Sequence, residues 1–194
     1  MTASIAPGRR GPCLTPVPIQ DNHFALFGLP TQFAVDERAL EEAYKRVQGQ
    51  THPDRFAAAT AAERRVAMQW AARANEAFQT LRSPLRRAAY LCELNGAPIE
   101  AESNTAMPGA FLAQQMQWRE QLHEARASAD RVRLQELDDE LAAVRTATLA
   151  QLESGLDQAR DFRAASALVR QLMFIEKFGD ELSAVAETTA AGAG

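Results

Sequence analysis

Apolar residues in this chain recur every three or four positions, the spacing that gathers them on one side of an α-helix, and nowhere do they alternate in twos as in a half-buried strand. The first such stretch, His23-Phe24-Ala25-Leu26-Phe27, reads as a short helical turn stopped by Gly28 and Pro30. Asp36 then offers an N-cap, with Glu37 in the first turn. The helix it opens carries the stripe Ala39, Leu40, Ala43, Tyr44 and Val47 and is ended by Gly49 and Pro53. A loop over 50–60 follows. A third helix spans about Ala61 to Leu81, and Ala67, Ala71, Ala74, Phe78 and Leu81 mark its buried side. Alanines there let a neighbour approach closely, as in an antiparallel hairpin. Ser83-Pro84 is an N-cap followed by proline at the first helical position. It opens a short helix to Leu94 that Asn95-Gly96 closes.

Periodicity lapses over 97–108, where Pro98, Asn104, Thr105 and Pro108 read as a linker. Three long amphipathic helices follow, over about Gly109–Ala127, Ala129–Leu152 and Asp157–Phe178. Phe111, Trp118, Leu122 and Ala125 form the core stripe of the first. The second has Leu134, Leu137, Leu141 and Val144, and the third has Ala165, Leu168, Leu172 and Ile175. Short turns between such helices make a compact bundle. The expected organisation is all-α: a disordered tail over 1–20, a helical hairpin domain over 21–96, the linker over 97–108, a three-helix bundle over 109–187 and a disordered Ala/Gly-rich tail over 188–194.

Composition narrows the function classes. With 46% hydrophobic residues the chain can bury a core, and a net charge of −4 gives no broad nucleic-acid signal. No stretch approaches the ~20 apolar residues of a membrane span. The prolines at 7, 12, 16 and 18 make the N-terminus a poor signal peptide. Cys13 and Cys92 are far apart and belong to no CxxC pair, so free thiols in a reducing cytoplasm are expected, with no metal and no cofactor.

The loop between the second and third helices reads Thr51-His52-Pro53-Asp54-Arg55-Phe56. Proline fixes φ and holds a bend, so His52 and Asp54 project from a rigid tip. No nucleophile or metal-ligand cluster stands beside His52, so an acid–base hydrolase using His52 and Asp54 is disfavoured; such a pair needs a pocket. A polar exposed tip suits protein docking, or is an incidental capping turn in a purely structural helical protein. A His-Pro-Asp tripeptide in this place, flanked by Ala43-Tyr44-Lys45-Arg46 and Ala74-Asn75-Glu76-Ala77-Phe78, resembles the J-domain. That resemblance implies a non-enzymatic co-chaperone that docks on a DnaK-type chaperone and stimulates its ATPase through His52, Pro53 and Asp54, with Lys45, Arg46 and Arg55 as cationic contacts. Thr51 departs from the Tyr that often precedes the tripeptide in that family.

No Gly-rich or Cys-rich region follows. Instead Ser83-Pro84-Leu85-Arg86-Arg87-Ala88-Ala89-Tyr90-Leu91, the opening Phe24-Ala25-Leu26-Phe27-Gly28-Leu29-Pro30, and the 111–122 stretch resemble HscB, the J-protein of iron–sulfur cluster assembly. The resemblance covers about residues 22 to 180. It implies two partners, the HscA chaperone and the IscU scaffold, with scaffold-binding positions Leu112, Ala113, Met116, Gln117, Glu120, Glu124 and Phe174. Ala113 stands where a larger apolar residue can occur, and Gln117 where an acid can. These departures leave room for a J-protein serving a different client. With only Cys13 near the N-terminus, the zinc module of some eukaryotic relatives is not expected. At about 100° per residue Leu112 and Met116 fall off the core stripe, with Glu120 and Glu124 continuing their face, as a partner surface would. Phe174 likewise lies off the Leu168-Leu172-Ile175 stripe, either exposed or wedged between helices.

Overall fold

The computed structural model describes residues 22–51, 59–99 and 107–191. Among these are seven α-helices, one π-helical turn and no strand. The helices are α1 His23–Phe27, α2 Glu37–Thr51, α3 Ala61–Arg82, α4 Pro84–Leu94, α5 Gly109–Ser128, α6 Arg131–Glu153 and α7 Phe162–Ala191, with the π-turn Ser154–Ala159 between the last two. None of them is long and apolar enough to cross a membrane.

Local signals set the helix ends. Asn22 caps α1 through the Ala25 N–H, and Gly28, at φ 67°, closes it in the left-handed region where glycine carries no Cβ penalty. The Asp36 carboxylate accepts from the Arg38 and Ala39 N–H groups at the head of α2. Ser83 caps α4 with Pro84 behind it. At the head of α3, Thr60 and Glu63 form a reciprocal capping box. The backbone and then the hydroxyl of Thr60 donate to the Glu63 carboxylate and hold its pKa below the usual value.

Two cores result. The first gathers Phe24, Phe27, Phe33, Leu40, Ala43, Ala77, Phe78, Leu81, Leu91 and Cys92 from the N-terminal elements. It also takes Leu152, Leu156, Ala165, Val169 and Leu172 from the far end of the chain. The second joins Phe111, Trp118, Leu122 and Ala125 of α5 to Leu134, Leu137 and Leu141 of α6 and Ile175, Phe178, Leu182 and Val185 of α7. The 30-residue α7, about 45 Å long at 1.5 Å per residue, therefore serves both. Its apolar stripe rotates midway, which is why Val169 is buried and Leu168 only half-buried.

Polar contacts fasten the N-terminal elements to the C-terminal helices. The Asp157 carboxylate, in the π-turn, accepts from the Phe33 N–H at 2.6 Å and the Ala34 N–H at 2.9 Å. Within the N-terminal elements themselves, Arg87, only 7% exposed, lies over the Phe33 ring at 5.0 Å and donates to the Leu81 carbonyl at 2.6 Å. Burial lowers its pKa, against the opposing charges of Glu37 and Asp157. Arg170 of α7 reaches the Ile99 carbonyl at 3.2 Å.

Three sequence expectations need amendment or lie elsewhere. The third bundle helix, expected from Asp157 to Phe178, instead starts at Phe162. Arg160, at φ 54°, breaks the chain in the left-handed region, and Asp161 caps the new start through the Ala164 N–H at 2.9 Å. The same helix runs through Ala191, so residues 188–191 of the expected disordered tail are helical. The Thr188 and Thr189 hydroxyls donate to the Val185 carbonyl, and Arg131 donates to the terminal carbonyls of Thr189 and Ala190. Alanine, the strongest helix former, supplies the rest. Residues 192–194, the expected tail over 1–20 and residues 100–106 of the expected linker lie outside the described residues, and 97–99 and 107–108 carry no regular structure.

Candidate functional site

The α2–α3 hairpin is tied at its middle. Tyr44 stacks on Phe78 with ring centroids 4.1 Å apart, and its hydroxyl donates to Asn75 at 2.6 Å while accepting from Gln48 at 2.9 Å. This ties mid-α2 to mid-α3. Beyond it the two helices run on to Thr51 and back from Ala61, and Arg64 donates to the Ala59 carbonyl at 2.8 Å. His52, Pro53, Asp54 and Arg55 fall between these ends, outside the described residues. Lys45 and Arg46 are exposed on α2, and the Lys45 ammonium lies 4.0 Å from Glu41, an exposed pairing of little stabilising value.

On α5 the expected core stripe is buried, and the other candidates face solvent. Leu112 is 45% and Met116 73% exposed, and Ala113, Gln117, Glu120 and Glu124 are exposed beside them. Large apolar side chains left in water while Trp118 of the same helix is fully buried form a surface available to a partner.

Phe174 is wedged rather than free. Its ring packs edge-on against Phe111 with centroids 5.9 Å apart, and lies nearly parallel to Trp118 and Phe178 at 6.4 and 5.9 Å. Such aromatic contacts add to area burial and hold the half-buried ring in one orientation at the α5–α7 seam. Trp118 in turn donates through its indole N–H to Glu140 at 2.8 Å, tying α5 to α6. The structure thus brings Phe174 onto the same helix pair as the α5 candidates. Arg119 belongs there too and was not among the residues expected from sequence. Its guanidinium lies 5.7 Å from the Phe174 ring centroid. The signal was available, since Arg119 falls seven residues after Leu112 and three after Met116, both on one helix face.

Residues 107–183 match the model of the HscB C-terminal oligomerisation domain. The chain is 56% identical over 171 residues to a co-chaperone protein HscB homolog of Burkholderia thailandensis, covering 88% of this chain and 97% of that one. It is 55% identical to the homolog of Bordetella avium, covering 85% and 97%. Among solved structures, chaperone HscB from Vibrio cholerae superposes with a TM-score of 0.76 at 38% identity, over 87% of this chain and 99% of the other. Human co-chaperone protein HscB gives 0.80 at 26% identity, over 93% of each. With more than half of the aligned residues identical to the Burkholderia and Bordetella homologs along nearly the whole of their length, and a fold that superposes on two HscB structures, the chain belongs to the HscB family of co-chaperones.

Proposed function

We propose that this chain is an adaptor of iron–sulfur cluster assembly. It binds an IscU-type scaffold protein on the α5–α7 face and presents it to a DnaK-type ATPase chaperone of the HscA kind, in the cytoplasm. The observation that carries the reading is the exposure of Leu112 and Met116 on a helix whose core stripe is otherwise fully used. Leu112, Met116 and the rim of Phe174 give the scaffold an apolar centre. Ala113 and Gln117 shape its edge, and Glu120 and Glu124 attract cationic partner residues.

The second surface is the hairpin tip. His52, Pro53 and Asp54 dock on the chaperone, with Lys45, Arg46 and Arg55 contributing positive charge, and the bound tip accelerates ATP hydrolysis by the chaperone. The chain supplies no reacting group of its own. Because one chain holds both partners, each sees the other at the high effective concentration of a tethered pair. The departures at Ala113 and Gln117 favour one second reading, a co-chaperone of the same build that serves a different client.

The test is steady-state ATP hydrolysis by the cognate chaperone with this protein and the scaffold added singly and together. Stimulation much greater with both is expected, and His52→Gln removes it while scaffold binding survives. Stimulation by this protein alone, unchanged by scaffold, would assign it a different client.

A further inference from the structure

We propose that the cleft where α4, the loop after α1 and the π-turn meet binds a carboxylate carried on a short aliphatic body, with Arg160 as the anion contact. The cleft has a volume of about 470 Å³, within the size range of small-molecule sites. Stretches far apart in the chain line it, among them Asn22, Thr31, Asn95 and Arg160, with Leu94 and Phe162 as apolar walls. Its lining shares no residue with the α5–α7 face.

Arg160 is the residue that points to a ligand. It ends the π-turn at φ 54°, in the left-handed region that glycine enters freely and a larger side chain enters at a cost. Glycine would suit this turn better, yet the chain holds arginine there. Ala129 shares the conformation at the end of α5 but has no group to offer a ligand. Strain retained where a charged side chain lines a cleft points to a use for that side chain. The guanidinium lies 5.8 Å from the Phe162 ring centroid, which attracts the cation but gives its in-plane N–H groups no acceptor. Among the described residues it enters no ion pair, unlike Arg133 with Glu136 and Arg145 with Glu176. Asp157, the other charged residue of the lining, is committed elsewhere: its oxygens accept from the Phe33 and Ala34 N–H groups, and its charge acts on the buried Arg87.

The neutral groups complete the recognition. The Asn22 oxygen caps α1 and its amide donates to the Thr31 hydroxyl at 3.4 Å, which leaves the Thr31 O–H as a donor. The Asn95 amide donates to the Leu91 carbonyl at 2.8 Å, which leaves its side-chain oxygen as an acceptor. A carboxylate meets the planar fork of Arg160 with two parallel hydrogen bonds. An amide N–H beside that carboxylate suits Asn95, and an aliphatic side chain suits Phe162 and the half-uncovered Leu94. N-acylated amino acids and the C-termini of peptides share this chemistry.

Proton–nitrogen correlation NMR of the full chain titrated with N-acetyl-leucine tests this, with N-acetyl-leucinamide as the uncharged control. Saturable shifts at the side-chain amides of Asn22 and Asn95, with a Kd of about 1 mM, are expected for the acid. The amide is expected to bind about tenfold more weakly or not at all. Arg160→Lys keeps the charge without the planar fork and is expected to weaken binding about fivefold. Arg160→Gly is expected to abolish binding while raising Tm by about 2 °C, because it removes the strain together with the charge. An N-acetylated tripeptide ending in leucine separates the two sources of ligand. Tighter binding than N-acetyl-leucine assigns the site to peptide C-termini, and equal binding assigns it to small carboxylates. Equal affinity for acid and amide overturns the proposal, as does an Arg160→Gly protein that still binds N-acetyl-leucine. Shifts that scatter over the surface and never saturate overturn it too.

Discussion

The two cores are held by different means. In the second, aromatic and aliphatic side chains of three adjacent helices fill the interior, and the buried Trp118 indole donates to Glu140. The first takes in elements more than a hundred residues apart and is fastened by charge, with the Asp157 carboxylate on the Phe33 and Ala34 N–H groups. A local bundle needs little beyond shape, whereas a junction between distant segments needs directional bonds that fix how they meet. The surface follows the same division. The described part of the first region presents the exposed cations Lys45 and Arg46 on α2, and the second an apolar patch with charge of both signs.

The severest way to break the comparison is Trp118→Ala, which empties the centre of the second core at a cost of about 3–5 kcal/mol. Because α7 lines both cores, thermal melting followed by circular dichroism is expected to show a single transition at lower temperature. A melt that splits in two would show the cores to be independent. Asp157→Ala strikes the junction alone. Leaving the Phe33 and Ala34 N–H groups without their anion is expected to cost about 1.5–3 kcal/mol in urea unfolding. The scaffold binding proposed for the α5–α7 face should be unaffected.

Much of this was legible in the sequence, and the division again matters. Asp36, Ser83-Pro84 and Asn95-Gly96 act within four residues of themselves, so their patterns announce helix ends. Phe111, Trp118, Leu122 and Ala125 announce a buried stripe, which also exposes Leu112 and Met116 by subtraction. Asp157 gave no such signal. Its partners lie 123 and 124 residues away, and by local rules it reads as a helix start. Thr188 and Thr189 misled in the opposite sense, since their loop-like composition is overridden by Arg131 from another helix, which caps the Thr189 and Ala190 carbonyls.

The gentlest probe is pH. His23 stacks on Tyr90 with ring centroids 4.3 Å apart, and its backbone N–H donates to the Tyr90 hydroxyl at 3.0 Å. Burial, opposed by Glu76 and Glu93 and aided by Arg73, lowers the imidazole pKa below its ordinary 6.5. The unfolded chain then binds the proton more readily than the folded one. The stability contributed is complete above 6.5 and is lost as pH falls through the lower folded value. Melting temperature should therefore decline on acidification below pH 6.5, and His23→Phe, which keeps the stack, should flatten that decline.

Cys92 sits at the centre of the first core with no exposed surface, and burial pushes its thiol up to about 11. The thiolate is the form that ligates iron and exchanges with disulfides. At cellular pH this sulfur is protonated, walled off and chemically mute. An adaptor whose proposed trade is in iron and sulfide thus keeps Cys92 from competing for the cargo, and oxidants that attack exposed thiolates find no foothold there.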